Sequence, residues 1–143
     1  MPDWFREIDH TGDVGIRITA PTRTVLFERA ALGTFRVLTD LKTVQASEET
    51  HVAVDGHDPE ALRVRWLSDL NHRHTVDEAL FSAFAVESIE EANDGLTLTA
   101  TAHGEPIDPT RHTVYTEIKA VTFHSMDIRE TDDGWAVQVI FDM

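Results

Sequence analysis

The sequence predicts an α+β domain in which a mostly antiparallel sheet is covered by two helices. Three observations carry that expectation. Apolar and polar residues alternate over Val14 to Ala20, Leu96 to Ala102 and Trp135 to Asp142, the period of half-buried strands. Asn93-Asp94-Gly95 and Thr131-Asp132-Asp133-Gly134 are tight-turn sequences of the kind that joins such strands into hairpins. Two other stretches, after Thr22 and after Asp58, space their apolar residues for one face of a helix.

Taken in order, Trp4 to Ile8 alternates as a short strand, and Asp9-His10-Thr11-Gly12-Asp13 is a polar turn whose glycine tolerates positive φ. Val14, Ile16, Ile18 and Ala20 line one face of a second strand, broken at Pro21. Thr22 is the expected N-cap of a helix reaching about Leu38, with Leu26, Ala30, Ala31, Thr34, Phe35 and Leu38 on its stripe. His51-Val52-Ala53-Val54 reads as a strand. Asp58-Pro59-Glu60 starts the second helix, with Asp58 as cap and Pro59 at the first helical position, followed by Leu62, Trp66, Leu67 and Leu70. Asn71-His72-Arg73-His74 interrupts that stripe and reads as a loop. Phe81 to Ile89 is strand-like and forms a hairpin with the strand after Gly95. Gly104 to His112, with Pro106 and Pro109 and no periodicity, reads as a loop into a long strand from Tyr115 to Ile128. In that strand Ile118, Ala120, Met126 and Ile128 would point one way, and Glu117, Lys119, Val121 and Phe123 the other.

The 143 residues fit one domain, 1–143, able to bury roughly two-thirds of its unfolded surface without staples. The absence of cysteine removes disulfides and thiolate metal sites. No basic stretch followed by an apolar core opens the chain, and no apolar run nears the ~20 residues of a membrane span, so a soluble, cytoplasmic protein with no membrane partner is expected. Against 26 acidic residues stand 12 lysines and arginines, a formal net charge of −14. Such a surface repels phosphate backbones, and tight direct binding of nucleic acid is not expected. Lys42 and Lys119 are the only lysines. That economy, with the acidic excess, suits a salty, halophile-like cytoplasm, and the alternative is an ordinary acidic protein.

Several groups of residues carry candidate chemistry, each with a plainer alternative. Asp13 begins one expected strand, Asp142 ends another, and the terminal carboxylate of Met143 follows. If those strands are antiparallel neighbours, the carboxylates share one edge of the sheet, and hard oxygen donors suit Ca²⁺ or Mg²⁺ better than Zn²⁺. Two solvated aspartates are the alternative. Glu117 and Lys119, two apart on a strand, form either a surface ion pair worth under ~1 kcal/mol or a positioned ammonium that meets a phosphate or a partner's carboxylate. His72 and His74 lack a zinc spacing and are expected to be solvated. His112 and His124 bracket the long strand, for site chemistry or as hydrogen-bonded structural histidines. There is no Gly-rich phosphate loop or nucleophile elbow, which favours a binding or accessory role over a self-sufficient enzyme.

His10-Thr11-Gly12-Asp13-Val14-Gly15, Leu38-Thr39-Asp40, Trp66-Leu67-Ser68-Asp69-Leu70, Gly104-Glu105, His112, Glu117-Ile118-Lys119-Ala120-Val121-Thr122-Phe123-His124 and Ile140-Phe141-Asp142-Met143 together resemble the archease family, in order along essentially the whole chain. The resemblance implies an archease-like fold and an accessory role. Archeases activate the RtcB-type RNA ligase of tRNA splicing by promoting guanylylation of its active-site histidine and allowing multiple turnovers; they are not ligases themselves. It further implies a divalent-cation site, calcium in the family, at Asp13, Asp142 and Met143. The family's functional lysine falls on Lys119, and Asp40 matches a recurrent acidic position after the first helix. A ligase partner lets the chain carry its negative charge without penalty, and an acidic surface facing a basic RNA-binding cleft predicts association that weakens with salt. The sequence departs from the family at Gly12, where alanine is usual, and at Phe123, where tyrosine is usual. It departs again at Asn71-His72-Arg73-His74, where the second helix tends to continue with apolar and aromatic residues. The rival functions are a small metal-dependent phosphohydrolase using the same carboxylates and a general protein chaperone.

Overall fold

The two helices begin where their caps dictate. In the computed structural model, which describes residues 2–10, 13–122 and 128–143, α1 spans Arg23–Leu38 and α2 spans Pro59–Asp77. Thr22 Oγ1 accepts from the Val25 N–H at 3.3 Å, and Asp58 Oδ1 accepts from the Ala61 N–H at 2.8 Å. Each cap satisfies a donor that the helix cannot, a contribution of about 1 kcal/mol. α1 closes at Thr39, whose N–H reaches Phe35 O at 2.9 Å, and α2 closes on the left-handed Glu78.

α2 runs straight through Asn71-His72-Arg73-His74, which corrects the loop expected there. The reason is local. Asn and His cost a helix only a few tenths of a kcal/mol, and the polar atoms that break the stripe have partners waiting. Asn71 Nδ2 donates to Ile118 O at 2.8 Å, and His74 Nδ1 lies 3.0 Å from Ala79 O. His74 is therefore buried beside Phe35, not solvated, whereas His72 is exposed.

Eight strands are described: β1 Phe5–His10, β2 Asp13–Ala20, β3 Glu48–Gly56, β4 Ala79–Ala92, β5 Gly95–Pro106, β6 Ala120–Val121, β7 Arg129–Thr131 and β8 Gly134–Asp142. All described pairings are antiparallel, but they form two sheets, β1-β2-β8-β6 and β3-β5-β4. β2 occupies one edge of β8, so β7 and β6 share the other, β7 at its start and β6 at its end. The hairpin turns fall at Asn93-Asp94 and Asp132-Asp133, each followed by a glycine at positive φ.

The helices lie between the sheets. A Cβ on Gly33 of α1 would come within 2.9 Å of Ile16 and 3.0 Å of Ile18, so the helix backbone sits directly on β2. The other side of α1 turns Phe35 edge-on to Phe81, ring centroids 5.6 Å apart, in the second sheet. Trp66 of α2, fully buried, donates its indole N–H to Phe27 O at 3.0 Å and meets Phe84. Alternation fixes which face of a strand is buried, not which strands pair, which is why the expected antiparallel layer proves to be two.

Over its described residues 115–122, the long strand expected from Tyr115 to Ile128 is reduced to Ala120–Val121, which pair with β8, and Val114 makes an isolated bridge to Thr39. The backbone between is satisfied by different elements in turn. The Tyr115 N–H goes to Leu38 O, the Lys119 N–H to Asp142 O and the Thr122 N–H to Ile140 O. A segment that crosses from helix ends to a strand end meets no continuous edge, whatever its alternation. Residues 123–127 lie outside the described residues. No helix is long and apolar enough to cross a membrane.

Candidate functional site

Register brings the sequence's carboxylates together. Val14 pairs with Phe141, so one residue further along both strands Asp13 of β2 stands beside Asp142 of β8. Val14 and Phe141 face the helices in the core, and by the strand's period the two aspartates face the opposite way, with Met143 next in the chain. Neither carboxylate is buried. Directly opposed residues in an antiparallel pair hold their Cβ atoms about 5 Å apart, near enough for two carboxylates to share a cation. Among the described residues no three His, Asp or Glu side chains gather closely enough to hold a metal ion, so this strand end brings together two carboxylates without a third.

Lys119 adjoins this strand end from the other edge. Its N–H donates to Asp142 O at 2.8 Å, and Ala120 is the register partner of Asp142. Its side chain is exposed and lines a cavity of about 250 Å³ with Ser68, Asn71, His72 and Thr75 of α2. Glu117, also exposed, precedes β6 in irregular chain, so the shared strand face expected for Glu117 and Lys119 does not exist and no ion pair joins them.

His112 and Asp40 belong to a second cluster that anchors the far end of the same segment. Glu105, only 8% exposed at the end of β5, accepts from Arg111 Nη2 at 2.6 Å and Nη1 at 3.2 Å, and from the Gln45 N–H at 2.7 Å. His112 Nδ1 accepts from the Asp108 N–H at 2.8 Å, so the ring proton sits on Nε2, which faces Glu105 Oε2 at 3.0 Å and Thr43 O at 3.1 Å. Thr43 Oγ1 in turn donates to Asp40 O, and Asp40 Oδ1 caps a short 3₁₀ turn at Lys42. Thr39 Oγ1 donates to Thr113 O at 2.7 Å, fastening the chain just after His112. His112 thus holds the loop in place as a structural histidine. His124 lies outside the described residues.

The Arg111 hydrogen bond, then the Gln45 amide, hold the Glu105 carboxyl down at about 2 from an ordinary 4.5. A carboxylate depressed in the folded state adds stability that is complete above its unfolded value and is lost as pH falls from about 4.5 through about 2. Glu105→Gln should therefore melt below wild type at pH 6, with the gap closing towards pH 2. A gap independent of pH, measured by thermal melts across that range, would exclude this account.

The sequence pointed to the residues of both clusters without separating them. Gly104-Glu105 and His112 were visible as motif residues, but Arg111 and Gln45 carry no signal, because their role exists only where the loop folds back on β5. Gly104 is explained by close approach: a Cβ there would lie 2.8 Å from Phe81 Cα and run into the Leu80 carbonyl across the sheet.

Comparison with known proteins adds independent findings. Residues 5–143 match the model of the Archease protein family. The chain is 37% identical over 139 residues to a protein archease of Methanopyrus kandleri, covering 97% of this chain and 99% of that one. It is 38% identical to a protein archease of Methanosarcina barkeri, with 97% and 95% covered. The solution structure of Methanobacterium thermoautotrophicum protein 1598 superposes with a TM-score of 0.82 at 37% identity, over 98% of this chain and 99% of that chain. A crystal structure described as an archease, possible chaperone, from Thermotoga maritima shares the fold at a TM-score of 0.58 and 20% identity, over 96% of each chain.

Proposed function

The chain belongs to the archease family, and from that membership we propose that it is an accessory protein that activates an RtcB-type RNA ligase in tRNA splicing. The observation that supports this best is the 2.8 Å bond from the Lys119 N–H to Asp142 O, which couples an exposed ammonium-bearing residue to the strand end that carries the carboxylates. One side of this small region is cationic and the other anionic. Such a pairing suits a partner site where phosphates and metal ions meet. Guanylylation of the ligase spreads charge over the transferring phosphoryl group, and a positioned cation is what stabilises it. Activation then requires that this protein bind the reactive conformation of the ligase more tightly than the resting one, because equal affinity would shift nothing. His112 and Asp40 serve by fixing the far end of the Lys119 segment, while Glu117 and His124 are proposed as partner contacts.

Asp13, Asp142 and the main-chain oxygen of Met143 would hold a divalent cation, calcium before magnesium. The donors are all oxygen, and calcium accepts a loose set completed by water or by the partner, where magnesium demands a tight octahedron. When bound, the ion would neutralise the two carboxylates beside Lys119 and tie β2 to β8. Millimolar calcium should then raise the melting temperature of wild type by a few degrees and leave Asp13→Ala unmoved. An equal rise in both proteins would exclude the site.

A general chaperone would need a broad apolar face, yet the exposed large apolar side chains among the described residues are Val76, Val114 and Tyr115. The decisive experiment is single-turnover guanylylation of the ligase from the same organism, with and without this protein. Acceleration supports the activator; its absence under every salt and cation condition overturns it and turns attention to hydrolysis of phosphoesters.

A further inference from the structure

The second helix carries a polar stripe of which the fold uses only the Asn71 amide, bonded to Ile118 O. Ser68, Asn71, His72 and Thr75 stand at the i, i+3, i+4 and i+7 positions of α2, where an amphipathic helix would place apolar residues. Two of them belong to the stretch in which this sequence departs from the family pattern. The stripe faces Lys119 and Val121 across the cavity of about 250 Å³.

For a protein of net charge −14, the walls of this cavity are unexpected: an ammonium, an imidazole, two hydroxyls and an amide line it, without a carboxylate among the described residues. Asp69, the acidic residue in this part of α2, is paired with Arg73 Nε at 2.8 Å. The ammonium also starts from a fixed point. The peptide between Ile118 and Lys119 is pinned at both ends, its carbonyl by Asn71 Nδ2 and its N–H by Asp142 O, each at 2.8 Å. Asn71 Oδ1 is buried and accepts no hydrogen bond from any described residue. Thr75 Oγ1 makes only a 3.3 Å bond to His72 O within the helix, easily exchanged for a ligand.

Among the described residues no arginine lines these walls, which argues against a planar carboxylate, the anion a guanidinium fork fits best. A lysine among hydroxyls is a point charge suited to a tetrahedral anion. Phosphate oxygens accept hydrogen bonds, and the ammonium, imidazole and hydroxyls of the wall can all donate them. We propose that this cavity binds a phosphate group, free or as the terminal phosphate of a nucleotide. Lys119 supplies the charge, Ser68, His72 and Thr75 are donors, and Asn71 is the positioning residue. The inference rests on Lys119 as the functional lysine and gives that lysine a ligand.

The test uses the isolated full chain and no ligase, so its failure is separate from failure of the activator reading. Amide chemical shifts are followed by NMR while inorganic phosphate, a nucleoside 5′-monophosphate or the matching nucleoside is added. Both phosphates should shift Ser68, His72, Thr75 and Lys119 to Val121, and the nucleoside alone should not. Tighter binding of the nucleotide than of inorganic phosphate would identify the nucleotide as the source, and equal binding the free anion. Lys119→Gln should weaken binding at least tenfold, and Ser68→Ala with Thr75→Ala several-fold. Absence of shifts at millimolar phosphate, or shifts that persist unchanged in Lys119→Gln, would overturn the proposal.

Discussion

Lys119→Ala should abolish acceleration of ligase guanylylation, a loss of tenfold or more, while its melting temperature stays close to that of wild type. The two halves of this result have separate causes. A hydrogen bond to a charged group contributes about 1.5–3 kcal/mol, and losing one made at a reacting phosphate costs one to two powers of ten in rate. The side chain is exposed, and its segment is fastened by main-chain bonds that alanine retains, so the stability change should stay within about 0.5 kcal/mol. Lys119→Arg tests shape apart from charge: a guanidinium restores the positive charge but spreads it over a plane, and partial recovery is expected. Full activation by Lys119→Ala in the single-turnover assay would remove the residue from the mechanism.

Gly104→Ala should be severely destabilising for the addition of a single methyl group. Its Cβ would meet the Leu80 carbonyl and Phe81 Cα, backbone atoms that cannot swing aside as a side-chain tip can. It would do so beside the register shift between Phe81 and Ala83, where β4 already bends over β5. Moving that backbone would also displace the neighbouring Glu105 and with it the bonds to Arg111, Gln45 and His112. A cost of about 3 kcal/mol or more is expected, which for a domain of this size lowers the melting temperature by roughly 10 °C. Gly33→Ala makes the contrast. Its Cβ would meet the methyl tips of Ile16 and Ile18, which can rotate, so a smaller loss is expected from the same calorimetry. Equal losses at the two positions would contradict the distinction.

Local chemistry was legible in the sequence wherever the determinant was itself local. Thr22 and Asp58 cap the helices they were expected to cap, and Asn93-Asp94 turns the hairpin it was expected to turn. The juxtaposition of Asp13 and Asp142 also followed, because their strands proved to be antiparallel neighbours. What failed depended on partners that only the folded chain brings into place. Asn71 and His74 look like helix interruptions until Ile118 O and Ala79 O are brought to them. Tyr115 to Thr122 alternates like a strand, yet its hydrogen-bond partners belong to a helix end, a helix side chain and a strand end. Arg111 became visible only once the loop had folded onto Glu105.

The fastening of that segment has a mechanical consequence. A ladder shares its load, since each of its hydrogen bonds is protected by those on either side. From Thr113 to Thr122 the chain is instead buttoned at separate places, to Thr39, Leu38, Asn71, Asp142 and Ile140. One button can open while the rest stay closed, at a fraction of the cost of unfolding the sheet. Amide exchange at Tyr115 and Lys119 should accordingly outrun exchange at Val137 and Val139, which lie within the β2–β8 ladder. A partner that grips Lys119 would then have only a few fasteners to undo, and the fold behind them would not register the pull.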